Sequence, residues 1–436
     1  MKMTKHLDYQ KRFESFSNYK LYQNLEKRSR NAIKDIGMKY QLTYQELRQL
    51  TDMAVDFVMW DESSIGKQWN YEEKSIQYSD RLAKNKIFGS IYNNWEKLKE
   101  NATNYDSNGS KREFKTEGRK LKITNGDNAV FGMCPVASEK TVCCNLRTID
   151  VVQGCGLGCS YCSIQTFYEG GTIAVEDNLT DKLAAIELDP NKNYHIGSGQ
   201  SSDSLALGNK NGILDAQLEF ARNNLNIILE FKTKSKNVNH LLQAAVPSNI
   251  FVSWSMNPQV FIDHEEARTA TINQRLQSAR QLADAGIIVG FHFHPIVYYH
   301  GWNADYNELI NRIMDMFSPS EVGLISFGTL TFIKPAIKSL RMASMRSKIL
   351  QMPFADAAGK ISYPIDTKKK IFSGLWDVFK PWQDKVFFYF CMEDRQIWES
   401  VFGRCYETND DFENDLFNSV SKKLHNNSEP IISQKF

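Results

Sequence analysis

Cys155, Cys159 and Cys162 stand in a C-x3-C-x2-C arrangement, Cys155-Gly156-Leu157-Gly158-Cys159-Ser160-Tyr161-Cys162. Three thiolates in one short, glycine-bearing loop can wrap a corner of an inorganic cluster. Thiolates are soft ligands that select iron–sulfur clusters, copper(I) or zinc over oxygen-seeking metals. A [4Fe–4S] cluster normally takes four cysteines. This loop offers three, and no fourth follows at close range, so one iron is left open to a small molecule. Structural zinc would want two more ligands at paired spacing, and structural core cysteines have no reason to sit among glycines. An iron–sulfur cluster is the expected occupant; zinc and simple core packing are the competing readings.

Other candidates fall further along the chain. Gly197-Ser198-Gly199 gives a turn whose backbone can approach a ligand closely, and Ser201, Ser202 and Asp203 add hydrogen-bonding groups; the same residues suit a plain loop. Lys234 could pair with a carboxylate or lie on the surface. Ser255 and Asn257 are placed to bind a cofactor, although Asn257-Pro258 is equally a turn signal. His292 and His294, two apart on one strand face, could bind metal or shuttle protons. With no carboxylate or cysteine adjacent, hydrogen bonding to a ligand is the better reading. Tyr298, Tyr299 and Trp302 offer aromatic faces that stack on nucleobases, or ordinary core packing.

The elements that must hold these residues alternate. Extended runs at Tyr194–Gly197, Asn226–Lys232, Ile250–Ser255, Ile287–His294 and Val322–Phe327 are interleaved with helical spacing at Ile213–Asn224, Val238–Ala245, Arg268–Ala285 and Ala304–Phe317. Regular alternation predicts a parallel sheet covered by helices, with ligand groups at the strands' C-terminal ends. The fold class expected is α/β: a partial, open βα barrel over 126–330, a mostly helical region with a linker over 1–125, and an α+β extension over 331–436. In the first region Thr43–Phe57 carries a capping-box signal, Thr43 with Glu46. In the extension Lys334–Met345 reads as a basic helix, Asp366–Phe379 as a helix, Val386–Cys391 as an aromatic strand, and the tail from Asp411 as a polar segment that frays. Cys134, Cys143 and Cys144 could be extra metal ligands but, like Cys391 and Cys405, are expected to pack or fix loops.

In these motifs the chain resembles the radical S-adenosylmethionine (SAM) superfamily and, within it, the spore photoproduct lyase family. The likeness runs from about Cys134 to Pro364. It rests on Cys134-Pro135, Cys143-Cys144, the Cys155–Cys162 loop with Gln165, Ser202-Asp203, Thr233-Lys234, Ser255-Met256-Asn257, Ala285-Gly286, His294-Pro295 and Gly301-Trp302. The resemblance implies a radical SAM partial barrel and a [4Fe–4S] cluster on Cys155, Cys159 and Cys162. By position it assigns Ser202, Lys234, Ser255 and Asn257 to SAM and gives Tyr161 a catalytic part. It implies reductive cleavage of SAM to a 5′-deoxyadenosyl radical that abstracts hydrogen from a thymine lesion in DNA. The electron would come from a donor such as flavodoxin or ferredoxin. The chain departs from the pattern where the family's hydrogen-donating cysteine is expected: Gln200 stands there, and Ser163 replaces a tyrosine. A same-family enzyme acting on another nucleoside, RNA or peptide, and a non-catalytic iron–sulfur sensor, are the alternatives. In the lesion-lyase reading Lys334, Lys338, Arg341, Arg346 and Lys348 would line a phosphate-binding surface.

Composition sets the outer limits. A net charge of +2 over 436 residues gives no dominating field for nucleic acid, so a DNA contact would rest on a local groove. No apolar run approaches a membrane span, and no apolar stretch follows the basic first residues as a signal peptide would require. Cysteines clustered mid-chain favour metal chemistry in a reducing compartment. These features point to a cytoplasmic enzyme.

Overall fold

The computed structural model describes residues 2–76, 81–105, 120–125, 129–134, 141–163, 172–343, 345–357 and 359–426. The chain forms two compact units, one of Met1–Phe114, Tyr298–His300 and Phe332–Phe354, the other of Lys115–Val297, Gly301–Thr331 and Ala355–Phe436. No helix among the described residues is long and apolar enough to cross a membrane.

The first unit is helical. Its helix Tyr44–Met59 opens on the expected capping box, Thr43 and Glu46 exchanging side-chain and backbone bonds, which satisfies two of the helix's orphan donors. That helix turns Leu47, Leu50, Met53, Ala54 and Phe57 into the core. It also buries Asp56, which a charged partner must balance. Arg341, on helix Lys334–Met342, supplies it: Nε and Nη2 donate to the two Asp56 oxygens at 2.8 and 2.7 Å. Trp95 Nε1 donates to the same carboxylate. Arg341 is therefore a buried structural cation and not part of a phosphate-binding face. Lys348 donates to the Asn104 carbonyl, and Arg346, itself exposed, pairs with Asp61; Lys334 and Lys338 are exposed as well. Tyr299 is buried edge-on against Tyr105, so it packs and is no stacking platform.

The second unit is built on one eight-stranded sheet: β1 Phe131–Met133, β2 Arg147–Ile149, β3 Tyr194–Ser198, β4 Ile227–Thr233, β5 Ile250–Ser255, β6 Val289–Ile296, β7 Val322–Thr329 and β8 Phe387–Phe390. The spatial order follows the chain order from β1 to β8. β1 runs antiparallel to β2, and every later pair is parallel. Right-handed crossovers put the C-terminal ends of the parallel strands β2 to β8 on one rim. This is the expected open barrel. Both faces of the central strands are buried, as their continuous apolar runs require: every residue of β7 is buried, and seven of the eight in β6.

Helix boundaries shift for local reasons. The helix expected from Arg268 starts at Ile272, because Thr271 and Gln274 form a capping box there, and Gly286 follows its C-terminal end with φ +81. Two parts of the C-terminal stretch differ from expectation. β8 joins the barrel sheet beside β7, with Leu324 opposite Phe387. The tail does not fray at Asp411: helix Asn409–Asn426 buries Phe412, Leu416, Phe417, Val420 and Leu424.

Candidate active site

The cysteine loop leaves the sheet just after β2, in a conformation its sequence permits. Gly158 sits at φ +70, a left-handed position that suits glycine. The segment Glu265–Arg268 then clamps the loop. Ser160 N donates to the Glu265 carbonyl at 2.9 Å and Ser160 Oγ to its carboxylate, while Arg268 N donates to Leu157 O. Glu266 is the hub. It accepts from Tyr161 Oη, from Asn257 Nδ2 at 3.0 Å and from the Arg275 guanidinium. Burial alone would raise its pKa, but Arg275 and Lys234 hold the carboxyl down at about 2. Arg275 Nη1 also donates to Ser255 O at 2.8 Å, so one buried pair ties the loop to the end of β5.

The three thiols lie close enough to feel one another. Burial, then the Asp203 charge, pushes Cys155 up to about 12, with Cys162 contributing; burial and Glu266 push Cys159 well above its ordinary value, with Cys162 and Cys155 contributing. Lys234 is the cation that opposes both shifts. Buried thiols whose negative charge is so disfavoured become ligands when a metal replaces the proton, and the donor set suits soft iron. Among the described residues no three His, Cys, Asp or Glu side chains gather round a single ion. A cluster that gives each thiolate its own iron does not require that convergence.

The other expected residues divide by what already holds them. Asp203 accepts from Leu205 N, Ala206 N, Thr233 Oγ1 and Lys234 N, so it pins the loops after β3 and β4. Ser201 is bound to Asp150 and the Val152 carbonyl. Asn257 has both ends of its amide engaged, by Glu266 and by Tyr306 Oη at 2.7 Å. Tyr161 stacks on Phe261, with Lys234 Nζ 5.8 Å from its ring centroid. Ser202 makes no side-chain hydrogen bond among the described residues, and Lys234 and Ser255 are partly exposed. Trp302 is buried and faces Gly374. Pro135 and Gln165 lie outside the described residues. Gly199, at φ +82, must be glycine: a Cβ would sit 2.4 Å from Ser204 Oγ.

At the strand ends lies a cavity of about 170 Å³. Its wall includes Gln200, Lys232, Ser255, His292 and His294 and, unexpectedly, four thiols: Cys134, Cys143, Cys144 and Cys391. Cys405 is not among them. Buried beside it is a polar network centred on Glu230, which accepts from His195 at 2.9 Å and from His292 and Ser253 at 2.6 Å, with Lys232 Nζ at 3.4 Å. Burial would raise the Glu230 pKa, but Lys232 and the two histidines hold it well below the carboxylate range. Burial lowers the pKa of both His292 and His294, keeping them neutral. Burial opposes the charge on Lys232, and Glu230 more than restores it. The histidines hydrogen-bond within the protein, His292 to Glu230, Ser253 and Ser326 and His294 to Ser326, where the sequence pointed to a ligand. Glu230, Glu266 and Arg275 escape sequence reading because their partners lie up to 105 residues away.

A family model described as spore photoproduct lyase matches residues 139–356, half of the chain. The chain belongs to the spore photoproduct lyase family. It is 28% identical over 208 residues to the spore photoproduct lyase of Geobacillus sp. (strain Y412MC61), covering 46% of this chain and 61% of that protein. It is 26% identical over 210 residues to that of Bacillus subtilis (strain 168), again 46% of this chain and 61% of the relative. The chain thus spans about three-fifths of the length of these relatives. Among solved structures, a spore photoproduct lyase complexed with dinucleoside spore photoproduct superposes with a TM-score of 0.53 at 23% identity, over 62% of this chain and 82% of the other. That likeness carries the partial-barrel fold.

Proposed function

We propose that this chain is a radical SAM lyase acting on a spore photoproduct lesion in DNA. The observation that carries the reading is the three-cysteine loop of a family-matched parallel sheet, tied through Glu266 and Arg275 to Ser255 on the wall of a cavity. Cys155, Cys159 and Cys162 would hold a [4Fe–4S] cluster, which with SAM supplies a 5′-deoxyadenosyl radical once reduced. Ser202, Lys234 and Ser255 have polar groups available to SAM. Asn257 and Tyr161 act through Glu266, fixing the loop against β5. Lys232, His292 and His294 offer one positive charge and two neutral imidazoles to a substrate in the cavity; Glu230 orients Lys232 and His292. A low-potential donor such as flavodoxin or ferredoxin would deliver the electron. All eight cysteines are free thiols, which suits the cytoplasm.

The test uses protein reconstituted anaerobically with iron and sulfide, then given SAM, dithionite and dinucleoside spore photoproduct, with mass spectrometry as the readout. Formation of 5′-deoxyadenosine and thymidine from the dinucleoside is expected. Gln200, at the position where the family's thiol is expected, favours one second reading: the same radical chemistry on a different nucleoside, RNA or peptide. Deoxyadenosine without repaired thymine would select it.

A further inference from the structure

The cavity poses a chemical problem that its own wall answers. A carbon radical generated there must end by taking a hydrogen atom, and a thiol S–H is among the weakest bonds to hydrogen that side chains offer. Position 200, at the end of β3, carries an amide. Yet four thiols reach the same cavity from three places: Cys134 just after β1, Cys143 and Cys144 before β2, and Cys391 just after β8.

We propose that Cys134 donates the hydrogen atom that quenches the substrate radical, with Gln200 positioning its sulfur. This rests on the lyase reading above. Cys134 is anchored by its backbone N, which donates to Leu146 O at 3.0 Å. Gln200 Nε2 donates to Cys134 Sγ at 3.8 Å, so the side chain at position 200 ends at this sulfur. Cys143 and Cys144 hydrogen-bond each other, and burial, then the Cys134 charge, pushes Cys391 up to about 12; Cys134 is the thiol that the side chain at position 200 contacts. The step balances: the Cys134 S–H bond breaks homolytically, the substrate C–H bond forms, and a sulfur radical remains. One electron from the low-potential reductant of the reaction and one proton from solvent restore the thiol.

Two arms test this. In apo protein kept anaerobic, iodoacetamide labelling read by peptide mass spectrometry should show Cys134 protected several-fold by the dinucleoside, with Cys405 unaffected. In reconstituted enzyme in D2O, thymidine released by wild type should carry one deuterium. Cys134→Ser should keep its iron and still form 5′-deoxyadenosine while repaired thymine falls at least about tenfold. Gln200→Cys in that background should restore repair. Repair by Cys134→Ser at the wild-type rate, or indifference of Cys134 labelling to the dinucleoside, overturns the assignment. Absence of deoxyadenosine from wild type overturns the underlying lyase reading instead, and the labelling arm still decides where Cys134 stands.

Discussion

Glu230→Gln keeps the shape of the side chain and removes its charge, so the cost can be assigned atom by atom. Oε1 accepts from His292 Nε2 and Ser253 Oγ, both at 2.6 Å; the glutamine oxygen can retain both bonds. Oε2 faces His195 Nε2 at 2.9 Å and Lys232 Nζ at 3.4 Å, and an NH2 group replaces it. His195 can adapt: its Nδ1 has no hydrogen-bond partner among the described residues, so the ring proton can move there and free Nε2 to accept. Lys232 cannot adapt and loses its counter-charge. Removing one member of a buried ion pair costs about 3–5 kcal/mol. The Lys232 side chain is 24% exposed at the cavity, which brings the expected loss to about 2–3 kcal/mol after partial solvation. Urea unfolding read by hydrogen exchange of the β4 amides would measure it. The pH dependence follows from both partners. Glu230 has a folded pKa below its ordinary 4.5, so its contribution is present above that value and fades as pH falls through the folded pKa. Lys232 has a folded pKa above its ordinary 10.5, so its contribution is present below that value and fades as pH rises through the folded pKa. The gap between wild type and variant should therefore be flat from about pH 5 to about pH 10 and close at the acid end. A loss under about 1 kcal/mol at neutral pH, or a gap that drifts between those limits, would refute the assignment of Glu230 as the counter-charge of Lys232.

Four further outcomes are expected. Cys155→Ala, Cys159→Ala and Cys162→Ala should each lower reconstituted iron from about four per chain to near zero and abolish SAM cleavage, with β4 amide protection unchanged; normal iron in any of them would remove the cluster from this loop. Gly199→Ala forces a Cβ to 2.4 Å from Ser204 Oγ at φ +82 and should cost about 1–3 kcal/mol, seen as faster exchange across 199–206; unchanged exchange there would show that the turn can reshape. Arg341→Met strands the Asp56 carboxylate and should destabilise the helical unit by about 3–5 kcal/mol. Lys334→Glu with Lys338→Glu should spare stability and flatten the salt dependence of oligonucleotide binding by about one logarithmic unit per charge. Equal effects on stability would mean that the exposed lysines are structural too.

What the sequence made legible is what short-range physics controls. The capping box of Thr43 and Glu46 closes over three residues, the β4 to β7 runs are apolar enough to be strands on any reading, and the cysteine spacing lies within one loop. The aromatic strand Phe387–Phe390 was readable as a strand but not as the eighth member of the sheet, because pairing with β7 is set by packing across some sixty residues. The tail is instructive: Phe412, Leu416, Val420 and Leu424 recur every four residues, a helical stripe that the surrounding acids and asparagines obscure. Charges misled most. A glutamate inside the apolar run of β4, or an arginine on a basic helix, looks like an isolated charge until the fold brings its counter-ion, which for Arg341 comes from 285 residues away.

The same logic explains the cavity. Its thiols come from segments that read as loops and edges, and each cysteine alone looks structural. The sheet gathers them because β1 and β2 lie at one edge and β8 at the other, while the barrel's curl brings Cys134 and Cys391 to one cavity wall. A departure at position 200 is therefore not a lost function by itself. In a curled sheet, neighbours in space can supply a group that the strand end lacks, and Cys134 touching Gln200 is that neighbour. The pair makes the argument sharper than either residue does: if the thiol had no role, Gln200→Cys would change nothing in wild type and rescue nothing in Cys134→Ser, whereas a relocated donor predicts rescue in the second background.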